Sequence, residues 1–245
     1  MQLPTRHWGS SDGRQALLVH GLNGDGATWQ PLAEKLADAG WHVTAVDLRG
    51  HGEAGQGDDL TLEGYASDLP GHGWDLVVGH SLGGAVSVLA SGASGFTDAL
   101  VLLDPVLEIF ASDRAAIIDD QVAELALTEE TLSAQKPQWS PLDVELKVTA
   151  AQRSSPRTAR ASFDDNPDWN VVDQAVDLTV RTLILGGDHA VYSMLARATA
   201  EAIAAENPLV EYRVIAGAGH SPQRDRFEET LAAILDFTSA GAPQP

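Results

Sequence analysis

The stretch from Leu76 to Ala90 constrains the fold more than any other. Three apolar residues, Leu76-Val77-Val78, precede Gly79-His80-Ser81-Leu82-Gly83-Gly84, and Ala85-Val-Ser-Val-Leu-Ala90 follows. The first triplet reads as a buried strand and the last run as a helix of small residues. Glycines on both sides of Ser81 let strand and helix approach closely around a strained turn. Such a turn lifts the serine hydroxyl off the sheet. It also sets the next backbone N–H at a helix N-terminus, where negative charge is favoured. Gly-x-Ser-x-Gly alone is a weak pattern; the strand before it and the helix after it give it weight.

The rest of the chain repeats this rhythm. Apolar runs at 16–20, 41–46, 75–78, 99–103, 179–185 and 210–215 read as strands. Helical patterns fall at 29–39, 61–69, 81–93, 194–206 and 224–237. Strands separated by helices mean βαβ units and a mostly parallel sheet flanked by helices, an α/β fold. From 106 to 177 the rhythm breaks. Ala111 to Leu127 is helical, with Ile117, Ile118, Val122 and Leu125 recurring, and Thr128 starts a second helix. Pro137, Pro141, Pro156 and Pro167 punctuate the remainder. The expected organisation is one domain: a sheet core from 1–105 and 178–245, with a helical insertion, 106–177, after the strand ending at Leu103.

Composition removes several chemistries. None of the 245 residues is cysteine, so disulfides, thiolate metal sites and a cysteine nucleophile are out. A net charge of −20, with Lys35, Lys136 and Lys147 the only lysines, disfavours nucleic acid and anionic membranes as partners. The start lacks a charged segment followed by an apolar one, and no apolar run reaches membrane-spanning length. A cytoplasmic protein, monomer or homodimer, is the expectation. The tail 240–245 reads as a frayed end.

A serine nucleophile needs a base and an oxyanion site. Leu18-Val-His20-Gly21-Leu22-Asn23-Gly24 closes the first clear strand with a turn able to present the Leu22 N–H beside the serine. With the N–H of Leu82 this makes a two-donor oxyanion hole. Of eight histidines, His220 in Ala216-Gly-Ala-Gly-His-Ser221 follows the last strand and precedes the last helix. That places it at the same sheet edge as Ser81, as the general base. His80 is expected to point to the opposite side of the turn, and His20 and His51 to be packing or hydrogen-bonding residues. No spacing suggests a metal site, and no cofactor is called for.

The order strand–His-Gly, Asp47-Leu-Arg-Gly-His-Gly52, Gly79-His-Ser-Leu-Gly83 and Gly217-Ala-Gly-His220 resembles the α/β-hydrolase superfamily, from Leu17 to Phe237. The resemblance implies an α/β-hydrolase fold, and it makes 106–177 the family's cap. It implies a Ser, acid, His order along the chain. The family's common acid position, two residues after Gly187-Asp188, holds Ala190 here. Two residues remain for the acid: Asp104, at the end of the strand before the cap, and Asp188 as alternate. Asp104 is the favoured choice, ahead of Asp188 and of a site with no acid partner, the case in which Ala190 would favour a binding protein.

The resulting expectation is a serine hydrolase of carboxylic esters or related acyl bonds, with an acyl-enzyme on Ser81. Its alternative is a non-hydrolytic binding protein, or a cofactor-free lyase or oxygenase, on the same fold. A serine at this turn argues against the family's aspartate-nucleophile dehalogenases and epoxide hydrolases. The cap residues Ile109, Phe110, Leu125, Leu127, Trp139, Phe163 and Trp169 suit an apolar acyl or ester substrate, with Phe110, Trp139, Phe163 and Trp169 as its binding residues. Arg153, Arg157 and Arg160 cluster and could bind a substrate carboxylate, with a solvated helix face the favoured reading; Asp113, Asp119, Asp120, Glu124, Glu129 and Glu130 read as the solvent face of the cap.

Overall fold

The computed structural model describes residues 1–239; the reading of 240–245 as a frayed end lies outside them. Seven strands form one sheet: β1 Thr5–Trp8, β2 Arg14–Val19, β3 Trp41–Val46, β4 Leu76–His80, β5 Ala99–Leu103, β6 Arg181–Gly186 and β7 Val210–Val214. Their order is β1-β3-β2-β4-β5-β6-β7. All neighbours are parallel except β1, which runs antiparallel to β3 at the edge. The periodicity did not announce β1, a four-residue edge strand whose pattern alternates between exposed and half-buried.

Eleven α-helices lie among the described residues. They are α1 Gln30–Asp38, α2 Leu62–Asp68, α3 Leu82–Ser91, α4 Arg114–Ala123, α5 Glu129–Gln135 and α6 Pro141–Arg153. Then come α7 Pro156–Asp164, α8 Val172–Val176, α9 Arg197–Glu206, α10 Pro222–Asp225 and α11 Phe227–Ser239. Strand side chains alternate between two cores, as a pleat requires. Ala16, Leu18, Leu76, Val78 and Val101 pack with Leu32 and Leu36 of α1 and Ile234 and Phe237 of α11. Leu17, Val19, Val77, Leu100 and Leu102 pack on the other face with Tyr65 of α2, Val86 of α3 and Ile203 of α9.

Helices α4 to α8 fill the interval between β5 and β6. Two of them, α6 and α7, begin at prolines, so Pro141 and Pro156 start helices here rather than interrupt them. Pro141 and Pro156 stand at the first helical position, where a missing N–H costs nothing. Ser140 and Ser155 cap these helices, their hydroxyls accepting from Asp143 N at 3.1 Å and Thr158 N at 3.0 Å. The interval is not a self-sufficient unit. Its own cluster is Leu132, Val144 and Val148, whereas Phe163, Trp169, Val171 and Ala175 join the sheet core.

No helix among the described residues is long and apolar enough to cross a membrane.

Candidate active site

Parallel strands deliver their following loops to one edge of the sheet, and the site lies there. Ser81 follows β4 with φ +55°, ψ −120°, a left-handed conformation that a non-glycine residue adopts only under constraint. The constraint is close packing. A Cβ at Gly83 would sit 2.2 Å from the Val19 carbonyl oxygen, and one at Gly79 would sit 2.4 Å from that of Gly83. The backbone is pinned as well, with Ser81 N donating to Leu103 O at 3.2 Å and Ser81 O accepting from Gly84 N at 3.0 Å.

Asp104 follows β5, also at positive φ, and is fully buried. Four donors converge on its carboxylate. His220 Nδ1 and Ser193 Oγ each lie at 2.6 Å, and Gly187 N and Met194 N each at 2.9 Å. Burial alone pushes this carboxyl up. The hydrogen bond and charge of His220, with Ser193 and Gly187, outweigh burial and hold it below the ordinary carboxylate value. On the far side of the imidazole, His220 Nε2 lies 2.9 Å from Ser81 Oγ. Serine, histidine and aspartate thus form one hydrogen-bonded chain.

Asp188 takes no part in this chain. Its carboxylate accepts from Ala190 N at 2.9 Å and Gly217 N at 3.0 Å, and these bonds depress its pKa. It staples two loops together at the surface, which leaves Ala190 on a turn that carries no acid to His220.

The turn after β2 approaches from the side of the serine. A Cβ at Gly21 would lie 2.9 Å from Ser81 Cβ, so only glycine fits there. Leu22 and Leu82 both line the cavity over Ser81. Leu82 opens α3, so its N–H has no intrahelical acceptor. His20 holds the turn: its Nδ1 donates to Gly21 O at 2.7 Å and its Nε2 accepts from Leu48 N at 3.0 Å. Burial pushes its pKa down to about 4, and that of His51, whose ring lies 5.2 Å away, down to about 3.

His80 departs from expectation. It does not turn away; its ring centroid lies 4.9 Å from that of His220, and its Nε2 donates to the His220 carbonyl oxygen at 2.7 Å. Burial, and then the neighbouring His220 and Arg224, push its pKa well below the usual histidine value. It is a neutral prop for the His220 loop.

The cavity above Ser81 has a volume of about 510 Å³. Ile109, Leu127, Trp139, Phe163 and Trp169 line it. Phe110 and Leu125 do not. Phe110 is 54% exposed because Ile109, bonded to Trp169 O, points inward and the next side chain of this extended segment points out. Phe110 is therefore corrected to a surface residue. A second correction concerns Glu124, read as part of a solvated face. It turns inward, accepting from Lys147 Nζ at 2.7 Å, and the ammonium also reaches Asn23 O at 3.4 Å. Burial pushes Glu124 up, and Lys147 more than offsets it. Asp120 also reaches the cavity. Arg153, Arg157 and Arg160 are exposed; Arg153 reaches Asp25 at 3.5 Å.

Sequence reasoning also missed Asp225. Its Oδ1 accepts from Gln138 Nε2 and Trp139 Nε1, both at 2.8 Å, and its Oδ2 accepts from Gly219 N at 2.8 Å. It ties the helical insertion to the loop carrying His220. No signal in the sequence marks it, because its two side-chain partners, Gln138 and Trp139, lie more than 80 positions away in the chain. Among the described residues no group of three or more histidines and carboxylates is disposed to hold a metal ion.

Known proteins show the same arrangement of elements. The chain is 33% identical over 130 residues to the lipase LipV of Mycobacterium tuberculosis, across 50% of this chain and 49% of that protein. It is 33% identical over 147 residues to a pimeloyl-[acyl-carrier protein] methyl ester esterase of Vibrio cholerae, across 54% and 56%. The matched stretch spans about half the length of each of these curated relatives. Among solved structures, an E-2-(acetamidomethylene)succinate hydrolase superposes with TM-score 0.82 at 23% identity, covering 97% of this chain and 95% of that one. The esterase EaEST of Exiguobacterium antarcticum superposes with TM-score 0.79 at 17% identity, over 97% and 95%. At those identities the likeness is one of fold. The family model of the alpha/beta hydrolases matches residues 16–233, which takes in β2 through α11 and all three members of the hydrogen-bonded chain, and with that match the chain belongs to the alpha/beta hydrolase family.

Proposed function

We propose that the protein is a serine hydrolase that cleaves a carboxylic ester or a related acyl bond. The observation that carries this reading is the continuous chain from Ser81 Oγ through His220 to buried Asp104, at 2.9 Å and 2.6 Å. Asp104 fixes the Nδ1–H tautomer of His220 and leaves Nε2 free to take the serine proton. Ser81 then attacks the substrate carbonyl. The N–H groups of Leu22 and Leu82 receive the oxyanion, each worth about 10²–10³ in rate. His220 returns its proton to the leaving group, then draws one from water; the hydroxide adds to the acyl-enzyme carbonyl, and collapse of that adduct releases the acid as His220 gives the proton to Ser81 Oγ.

The similar proteins named as a lipase and a methyl ester esterase favour ester chemistry. Asp104 on His220 supports a hydrolase over a binding protein, because the acid missing at Ala190 is supplied from the end of β5.

The test is covalent labelling by a fluorophosphonate, together with turnover of para-nitrophenyl butyrate. Wild type is expected to label and turn over, and Ser81→Ala to do neither. Equal turnover by Ser81→Ala would overturn the scheme.

A further inference from the structure

One arginine in the cavity has nothing to hold. Arg224 is 8% exposed and lines the same cavity as Ser81. Its guanidinium stacks over the Trp139 ring at 5.1 Å. Among the described residues no carboxylate lies within ion-pair or hydrogen-bond distance of it. Asp143, Glu124, Asp225 and Asp25 act on it only through longer-range attraction. Each has its own donors: Ser140 for Asp143, Lys147 for Glu124, Trp139, Gln138 and Gly219 for Asp225, and Ala27 for Asp25. Gln223, the residue before it and 5% exposed, also lines the cavity and leaves its buried side-chain oxygen without a partner among the described residues.

A buried, permanently charged guanidinium without an anion is costly to maintain. Arginine offers a rigid planar fork of donors that matches a carboxylate. The surroundings select among anions. Lys147 is already neutralised by Glu124, and Lys136 lies 3.9 Å from the Asp225 carboxylate, so Arg224 is the cation of the cavity left without a carboxylate among the described residues. Glu124 and Asp120 would repel a dianion such as a phosphate monoester. The acidity of the molecule sharpens the point. Of 15 basic residues in a chain of net charge −20, three, Lys136, Lys147 and Arg224, line this one cavity.

We propose that Arg224 receives an ionised carboxylate of the substrate, remote from the carbonyl that Ser81 attacks. The inference rests on the serine-hydrolase reading and narrows it to esters or related acyl compounds that carry a free carboxylate. Trp139, fixed by Asp225, orients the guanidinium, and the Gln223 amide, on rotation, supplies a neighbouring donor.

The experiment compares mono-para-nitrophenyl adipate with its methyl-capped diester, in wild type, Arg224→Met and Arg224→Lys. Wild type is expected to prefer the anionic ester by about 30-fold or more in kcat/KM. Arg224→Met collapses that ratio toward unity, and Arg224→Lys keeps part of it. Free adipate should slow fluorophosphonate labelling of Ser81 in wild type and not in Arg224→Met. Ser81-dependent hydrolysis with no preference in wild type, or a preference surviving in Arg224→Met, would overturn the inference while leaving the hydrolase reading intact. If Arg224→Met does not fold, Arg224→Gln takes its place with the same expected loss of preference and of adipate protection, and a preference surviving there overturns the inference. If Ser81 neither labels nor turns over either ester, the hydrolase reading fails. Calorimetric binding of adipate to wild type against Arg224→Met then decides the role of Arg224 separately.

Discussion

His80 donates its Nε2 hydrogen to the carbonyl oxygen of His220 at 2.7 Å, so the residue before the serine supports the backbone of the residue that would activate it. The bond couples the end of β4 to the loop after β7, two segments 140 positions apart. His80→Phe keeps a ring in the space and removes the donor. A net hydrogen bond is worth about 1 kcal/mol, so kcat should fall about 3- to 10-fold with KM little changed. The rate of fluorophosphonate labelling should fall in parallel. Unchanged labelling would show that His220 holds its place without this support.

Asp104 and Asp188 are both aspartates on loops at the same sheet edge, and the structure separates them by their donors. Asp104→Asn leaves an amide where His220 Nδ1–H and three further donors converge, which favours the wrong imidazole tautomer. Turnover of para-nitrophenyl butyrate should fall by about 10³–10⁴. Asp188→Asn touches only Ala190 N and Gly217 N, and should retain activity within about 2-fold, a loop substitution away from the chemistry.

How far the sequence carries the reader depends on whether a residue's meaning is local. Ser81 is legible because its glycines, strand and helix all lie within 15 positions. The sheet is legible because its central strands are continuous apolar runs. Phe110 and Glu124 are misread because composition does not say which way a side chain turns on a short segment whose partner is distant. Pro141 and Pro156 show the same limit, since proline both ends and begins helices and the serine before each decides which. Asp225 and Arg224 acquire meaning only when Trp139, some 85 positions earlier, is folded against them.

The buried histidines set an acid limit on stability. His20, with its pKa pushed down to about 4, and His51, at about 3, stay neutral in the folded chain while the unfolded chain protonates them near pH 6.5. Unfolding therefore binds protons, and their full contribution is present above about pH 6.5 and is lost as pH falls toward 4 and 3. Across that window His20 contributes on the order of 3 kcal/mol and His51 on the order of 5 kcal/mol. Below about pH 4 the depressed carboxyls of Asp104 and Glu124 act in the same direction. Urea midpoints should fall steeply between pH 6.5 and 4, and His51→Gln should reduce the slope by about one proton. A flat profile across that range would contradict a neutral, buried His20–His51 pair.

Asp225 is where the insertion and the His220 loop share one side chain. Its two oxygens accept from the insertion (Gln138 and Trp139) and from Gly219 N, the residue before His220. Asp225→Ala strands three donors, two of them lining or flanking the cavity, and each buried donor left unpaired costs about 1–3 kcal/mol. The cap-side partners regain water by loosening, so the cost is relieved locally rather than by global unfolding. Amide hydrogen exchange should accelerate over 136–140 and 217–221 while the strands β4 and β5 keep their protection. Turnover should fall about 10- to 100-fold, since a displacement of about 1 Å in a positioned base costs that order of rate. Asp225→Asn retains one acceptor oxygen and should fall between the two. Uniform acceleration of exchange across the sheet would instead make Asp225 a determinant of global stability, with no specific hold on the insertion.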